Sequence, residues 1–578
     1  MTKAFVFDLE TTGIPVYSTF RCMGWSWGME DAAPVQVTFD LEEAVDQLIT
    51  ALDYGYAAAG HNVFGFDLPV LLYHYDRSEG TLPLREKLIE HRRQIYDTLI
   101  FSTKLFPLRM KHSMDSWSGM IETIYGIEGK VEVEDFATAS DAEIEDRCSH
   151  DIAIQKALSH YFIVTHGAPD TVNAYDVDCD FLPIVLSLTT CGVPYNRKEA
   201  DRARKILKAR TLGPELMRRT IAPDVNPRSN KQIDAWVRSI YGEGFPLTEK
   251  GSPMFNKQNR QEMLQKFPKL EWFVRGSASA KLYSVLDTTL AGCYENFLQK
   301  STVYDGEGIF PSLYVHGTRT LRMAYSKPAL NQFPKHIRSI VEAPEGWLMV
   351  GFDIVALEMA IIGRIFEKVL GDVTVRDEVL SGKSVKQLTL DAFKPAMEKT
   401  VFHGGDTPED LAKRINFALL YGAGVPLLVQ MLNSDETTVE ECIERRFRGF
   451  RTLSEAVQAA VKGSDEEGTV QSLYGTQLRT ARWKALNTVC QASGAEVAKR
   501  VSIYLDNAMK ERVPESYAVI HNHDEVEFIC RGMDEEELKR TVQGIADGLE
   551  PYMNGLDDGV GYLSGVNWKV GRSWADVH

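Results

Sequence analysis

EGWLMVGFDIVALEMAIIGRI, residues 345–365, opens on an apolar run that stops at Asp353 and continues as a helical pattern carrying Glu358. Consecutive apolar residues followed by three- and four-residue spacing read as a buried strand running into a helix. An acid at such a junction is ordinarily an N-cap, and that is the default reading of Asp353. Downstream, YAVIHNHDEVEFIC (517–530) puts two apolar strands around a His523-Asp524-Glu525 turn, so adjacent carboxylates project from a hairpin tip. If Asp353 lies opposite that tip, Asp353 and Asp524 could bridge two divalent ions for phosphoryl transfer. Between the two stretches, DLAKRINFALLYGAG (410–424) spaces Lys413, Phe417 and Tyr421 four apart, on one helix face. A cation one turn from an aromatic suits a nucleoside triphosphate lying along the helix. A core aromatic stripe with a snorkelling lysine is the plain alternative.

Toward the N-terminus, AFVFDL (4–9) reads as a buried strand, residues 48–60 as a helix running into a strand, and DIAIQKALSHYFI (151–163) as a helix. Strands mixed with helices predict an α/β first domain, ending in the polar, turn-rich linker THGAPDTVNAYDVDCD (165–180). In FDLETTG, Asp8 and Glu10 sit two apart on the strand, so both carboxylates leave one face and call for a divalent cation. HNVFGFDLPVL adds Asp67, with Asn62 five residues before it. Asp151 opens its predicted helix, where N-capping is the competing role.

The chain has 578 residues and a formal charge of −17, which excludes a non-specific cationic coat for nucleic acid as the main design. Local basic faces keep nucleic-acid binding open. RKEADRARKILKARTLGPELMRR (197–219) is one such stretch, read either as a solvated amphipathic helix or as a helix lying on a phosphate backbone. Arg445, Arg446, Arg448 and Arg451 form a second basic cluster. The eight cysteines are scattered without metal-ligand or disulfide spacing, and no signal-peptide core or run of about 18 apolar residues occurs. A cytoplasmic location and no membrane partner are the expectations.

Taken together, Asp8, Glu10, Asp67 and Asp151 resemble the DEDD 3′–5′ exonuclease family, which implies a ribonuclease H-like fold holding two Mg²⁺ ions. The slot that carries a tyrosine in one branch of that family is here Arg147, and His150 does not match the histidine spacing of the other. The three C-terminal stretches resemble motifs A, B and C of family A DNA polymerases. GTRTLRMAYSKPALNQFPKHIRSIVEAPEG (317–346) is similar to the segment before motif A, which implies that Arg322, Asn331, Gln332 and Arg338 track the primer–template. RWKALNTVCQASGAE (482–496) implies minor-groove contacts for Asn487 and Gln491, and the motif C turn adds His523 to the DNA-binding set. SNKQIDAWV (229–237) and SAKLYSVL (279–286) resemble thumb segments, and HSMDSWSGMIETIYG (112–126) with the closing NWKVGRSWADVH resembles the phage replicative branch. The family arginine twelve residues before Tyr421 is here Glu409, Ala360 replaces the arginine after the motif A glutamate, and Lys386 stands where a phosphate-contacting histidine is usual.

The resemblance implies a mixed α/β and α+β multidomain fold. It predicts an exonuclease domain over 1–175 and a right-hand polymerase over 176–578. Within the latter, the thumb spans about 197–300, the palm about 301–360 and 480–578, and the fingers about 361–479. It implies primer extension from dNTPs with 3′–5′ proofreading in DNA replication. Asp353 and Asp524, and separately the four N-terminal acids, would hold two Mg²⁺ per site, with Mn²⁺ as a substitute. Lys413, Phe417, Tyr421, Glu358 and Lys386 would contact the incoming nucleotide. A replicative helicase or primase is a candidate partner; a thioredoxin-type processivity factor and an N-terminal 5′-nuclease domain are not expected. A single-subunit RNA polymerase shares the three motifs, but Glu358, as a barrier to a 2′-hydroxyl, and Phe417 argue against it. A degenerate, non-catalytic nucleic-acid-binding relative is the other alternative, opposed by the intact acids.

Overall fold

A computed structural model of the chain describes residues 3–30, 33–76, 83–127, 129, 131–226, 229–247, 251, 253–254, 260–273, 298–333, 335–398, 400, 407–420, 424–513, 515–555 and 565–578. AFVFDLET forms the strand Ala4–Thr11, buried along its whole length. Apolar on both faces, it needs cover on both sides and a neighbour on each edge. It takes the centre of a five-stranded sheet ordered Gln36–Thr38, Phe20–Ser26, Ala4–Thr11, Ala57–Gly60, Ile95–Asp97. Pairing is antiparallel on the Phe20–Ser26 side and parallel on the Ala57–Gly60 side.

Three sequence expectations shift here. The helix expected from Asp151 spans Asp141–Ser159 and starts in a capping box between Ser140 and Glu143. Asp151 is therefore mid-helix and caps nothing. The helix near residue 48 is Leu41–Asp53, capped by Asp40. The linker stops short, because a helix begins at Tyr175 and runs to Thr190, with Asp176 and Asp178 in its first turn where the helix dipole favours acids. The basic stretch is one helix, Arg197–Ile221. Of the arginine cluster, Arg446 is buried and pairs with Glu378 at 2.8 Å, so that member is structural.

A second sheet, antiparallel throughout, is ordered Ser516–Asn522, Glu525–Cys530, Leu348–Ile354, Val566–Gly571. The short C-terminal helix Trp574–Val577 lies on it at Gly351, where a Cβ would stand 2.7 Å from the Val577 carbonyl oxygen. One contiguous apolar core runs from the first sheet to the second, and a separate small core gathers Val237, Phe245, Phe267 and Trp272. The 28-residue helix Ala485–Arg512 packs on both Tyr175–Thr190 and Leu357–Leu370. Where it meets the N-terminal half, Asp178 is buried between Lys104 (2.6 Å), Lys499 (2.7 Å) and His316 (3.0 Å). The lysines hold the Asp178 carboxyl well below its usual range against the opposing effect of burial. Among the described residues no helix is long and apolar enough to cross a membrane, and the seven described cysteines are unpaired.

Candidate active sites

In the second sheet, Asp353 pairs across the ladder with Glu525, and the Ile354 amide donates to the Asp524 carbonyl at 3.0 Å. The connection between the flanking strands is two residues long, and His523 takes a left-handed φ of 64° to make it. That tight turn folds the Asp524 tip against the end of the Asp353 strand. Asp353 is not an N-cap: the helix Leu357–Leu370 starts from Ala356, which offers no side-chain cap.

Burial raises the Asp353 carboxyl to about 6, helped by Asp524 and Glu358 and opposed by Lys413 and Lys569. Asp524 is raised by burial and opposed by Arg322 and Lys413; Glu358 is raised by burial and then by Asp524. Arg322 reaches Glu358 at 3.8 Å. Asp353, Asp524, Glu358, Arg322 and Lys413 thus share one electrostatic field. Asp353 and Asp524, partly withdrawn from water and without an ion pair among the described residues, suit a hard divalent cation.

Lys413 and Phe417 share a face of the helix Pro408–Leu420, the ammonium 5.7 Å from the ring centre. Lys413 is exposed and Phe417 half-buried. Tyr421 lies outside the described residues, as do residues 279–286. Lys386, exposed on the first turn of Val385–Met397, stands beside the same helix, which Thr389 joins by donating to Asn416 at 2.9 Å. Hydrogen bonds from Thr407 lower the Asp410 carboxyl, and Arg414 and Lys386 add to the effect.

Asn487 and Gln491 are half-buried one turn apart on Ala485–Arg512, and the intervening Cys490 thiol approaches the Glu358 carbonyl at 3.7 Å. Asn331 and Gln332 share the single turn Leu330–Gln332. Arg338 is buried, 4.2 Å over the Trp574 ring and 3.6 Å from Glu525. Burial lowers the His523 imidazole, and Arg322 lowers it further. Sequence reasoning missed the trio Glu525, Glu527 and His578, whose ligand atoms lie within 4.8 Å of one another. His578 pairs with Glu525 at 2.6 Å, and the Trp574 indole donates to Glu527 at 2.8 Å. The available signal was the alternation Glu525-Val526-Glu527, which puts both acids on one strand face.

At the first sheet, Asp8 and Glu10 share a face of Ala4–Thr11, and Asp151 arrives from the helix Asp141–Ser159. Ligand atoms of these three acids lie within 4.8 Å of one another. The helix can come this close because Gly24, paired with Asp8, has no side chain: a Cβ there would meet the Cys148 sulfur at 2.7 Å and Ile152 at 2.8 Å. Asp67, buried at the start of Asp67–Tyr75, is outside that trio and accepts the Leu9 amide at 3.0 Å. Burial raises its carboxyl, with Asp97 and Glu10 adding to the rise. Arg147 lies 3.4 Å from Glu10 and 3.1 Å from Asp151, and it donates to the Val131 carbonyl.

The chain is similar to known proteins in sequence and in fold. DNA polymerase I of Pseudomonas aeruginosa is 24% identical over 282 residues, 45% of this chain and 29% of that protein. DNA polymerase I of Aquifex aeolicus is 24% identical over 378 residues, 64% of this chain and 62% of its own length. The DNA polymerase of Bacillus phage SP01 is 24% identical over 394 residues, 61% of this chain and 40% of that protein. The chain thus spans less than two thirds of the length of these relatives. The fold matches the POL domain of Pol1 from M. smegmatis, solved in complex with DNA primer-template and dNTP, at a TM-score of 0.74 and 16% identity, over 100% of this chain and 96% of that one. Residues 214–576, well over half of the sequence and including Asp353 and Asp524, match the profile of DNA polymerase family A, and to that family the chain belongs.

Proposed function

We propose that the chain is a template-directed DNA polymerase that extends a primer from dNTPs and trims 3′ ends at its N-terminal acid cluster. The observation that carries the reading is the meeting of Asp353 and Asp524 at one strand end, within the field of Lys413 and Arg322. Their half-buried, like-charged carboxylates fit Mg²⁺, or Mn²⁺ in its place. Bound there, the ions would supply acidification of the primer 3′-hydroxyl and neutralisation of the triphosphate.

The protein's own groups complete the site. Lys413 presents an ammonium to the triphosphate, Phe417 a ring to the sugar, and Lys386 a second cation from the neighbouring helix. Glu358 occupies the place where a 2′-hydroxyl would come, which favours dNTPs over rNTPs. Arg322, Asn331, Gln332, Arg338, Asn487, Gln491 and His523 follow the duplex near the primer end, reading its shape and minor groove while base pairing reads the sequence. The thumb, over about 197–300, contains the small separate core; the palm contains the second sheet and the fingers the Lys413 helix.

Asp8, Glu10, Asp67 and Asp151 form the nuclease site. Metal-dependent primer extension on a primed template, run with dNTPs, with rNTPs and with no nucleotide, tests the whole reading. Extension with dNTPs and shortening without them support it. Preference for rNTPs would favour an RNA polymerase, and inertness in all arms a binding protein.

A further inference from the structure

We infer that Trp483 and Lys484 form a stacking site for an unpaired nucleobase of the primer–template. The inference rests on the polymerase reading of the chain and adds a contact to it. All nine tryptophans lie among the described residues, and Trp483 alone is exposed, with 58% of its surface open to water. It sits in the single turn Arg482–Lys484 that feeds the helix Ala485–Arg512. From Ala485 to Lys499 that helix is buried except at Asn487 and Gln491. Trp483 stands four residues before Asn487, about one helical turn. The open stripe proposed to follow the duplex therefore ends on the indole.

The turn is braced. The Arg482 amide donates to the Asp465 carbonyl at 2.9 Å, and its guanidinium reaches the Asp465 carboxylate at 2.6 Å and the Gln458 carbonyl at 2.8 Å. A fixed turn presents the indole with less freedom to lose on binding. Lys484, also exposed, sets its ammonium 4.5 Å from the ring centre. With more than half of the tryptophan open, that ammonium does not enclose the ring. Bases inside a duplex already stack on one another, so an indole at the surface suits a base that has left its pair, and the ammonium suits a phosphate. Just before the turn, residues 475–480 touch the N-terminal half: Arg479 donates to the Met110 sulfur, and Asn173 donates to the Gly475 carbonyl at 2.6 Å. Along the chain, Trp483 thus falls between that seam and the stripe of Asn487 and Gln491.

The test uses the full-length chain without metal, so that neither proposed reaction runs, and DNA carrying one 2-aminopurine, whose emission falls when it stacks. That base is placed at a mismatched primer 3′ end, in the single-stranded template ahead of the primer, or at a paired primer end. At saturating protein, wild type and Trp483→Phe should quench the first or the second probe, and Trp483→Ala should not. The probe that responds tells whether the primer or the template supplies the base. The responding DNA should bind Trp483→Ala on the order of fivefold more weakly, the lower end of one base–aromatic stack. Lys484→Ala should flatten the salt dependence of binding by about one phosphate contact, and an unchanged slope would contradict the role of Lys484. Equal emission in wild type and Trp483→Ala on both unpaired probes, or an equal quench of the paired probe, would overturn the inference and leave the polymerase reading standing. Failure of the wild-type chain to hold any primer–template would remove that reading and the inference together.

Discussion

Asp353 and Asp524 stand in the field of Lys413, Lys569 and Arg322, yet among the described residues none of those cations closes an ion pair on either acid. Glu10 and Asp151, at the other end of the chain, are closed on by Arg147 at 3.4 and 3.1 Å. Both clusters crowd carboxylates out of water, which is unfavourable without a counter-charge. Under the proposed function, the Asp353–Asp524 pair keeps its negative charge for arriving divalent ions, and Lys413 is set back toward the triphosphate. The N-terminal trio has already accepted one cation from its own helix. The half-buried pair and the buried trio thus differ both in their access to water and in having a cation of the chain close upon them.

Replacing Asp524 should show the widest gap between the clusters. Asp524→Ala should cut dNTP incorporation on the order of 10³-fold or more, since several kcal/mol of charge stabilisation goes with the metal site. Primer shortening without dNTPs should persist in that variant. Conversely, Asp8→Ala with Glu10→Ala should abolish shortening and keep extension. Loss of both activities in either variant, with the fold intact by circular dichroism, would mean that the clusters are not independent sites.

A smaller effect is expected at Lys386. If its ammonium serves the triphosphate, Lys386→Ala should weaken the apparent dNTP affinity by about 1.5–3 kcal/mol, the range of a charge-assisted hydrogen bond. Steady-state titration of dNTP on a primed template reads this directly. An unchanged dNTP dependence would tie Lys386 to Asp410 alone.

Phe417→Tyr should act more gently still. A tyrosine hydroxyl beside the sugar can stand in for a missing 3′-hydroxyl, so discrimination against dideoxynucleotides should relax by a few-fold to about tenfold, one neutral hydrogen bond's worth. Competition between dTTP and dideoxy-TTP measures it. A constant selectivity ratio would turn the ring away from the nucleotide.

The least effect belongs to pH and the empty charge of Asp353. Its folded value of about 6 exceeds the ordinary 3.8, so burial of the charged form destabilises the metal-free fold above pH 6. That penalty fades as pH falls from about 6 toward 4, where the folded group is already protonated. Asp353→Asn should therefore raise the metal-free Tm by ~1–2 °C at pH 7.5, because each kcal/mol moves a large chain little. The gain should vanish near pH 4. Differential scanning calorimetry at the two pH values checks the sign, and equal gains at both would contradict it.

What could be read from the residues alone was whatever depends on neighbours in the chain. The strand Ala4–Thr11, the Asp353 strand, the hairpin at Asp524 and the Lys413 helix all announce themselves by local spacing. Asp151 was misplaced at a helix start because the preceding turns, DAEIEDRCSH, carry little apolar rhythm. The true start is a capping box at Ser140, well upstream. The double ion pair of Arg147 needs a strand 137 residues away, and no local pattern reports it. The trio Glu525, Glu527 and His578 likewise exists only once the C-terminal helix folds back on the sheet. Asp178 looked like a linker acid for the same reason: its partner Lys499 lies 321 residues downstream.

That aspartate also sets a mechanical limit. Lys104 belongs to the N-terminal half and Lys499 to the long helix that carries Asn487 and Gln491, so Asp178 stitches the two halves together from inside. Pulling them apart would break both ion pairs and leave uncompensated whichever charge stayed buried, a cost of several kcal/mol. The triad thus adds to the contiguous apolar core in opposing separation of the two halves. Under the proposed function, a strand end that visits both acid clusters would move across a frame braced from inside by that triad.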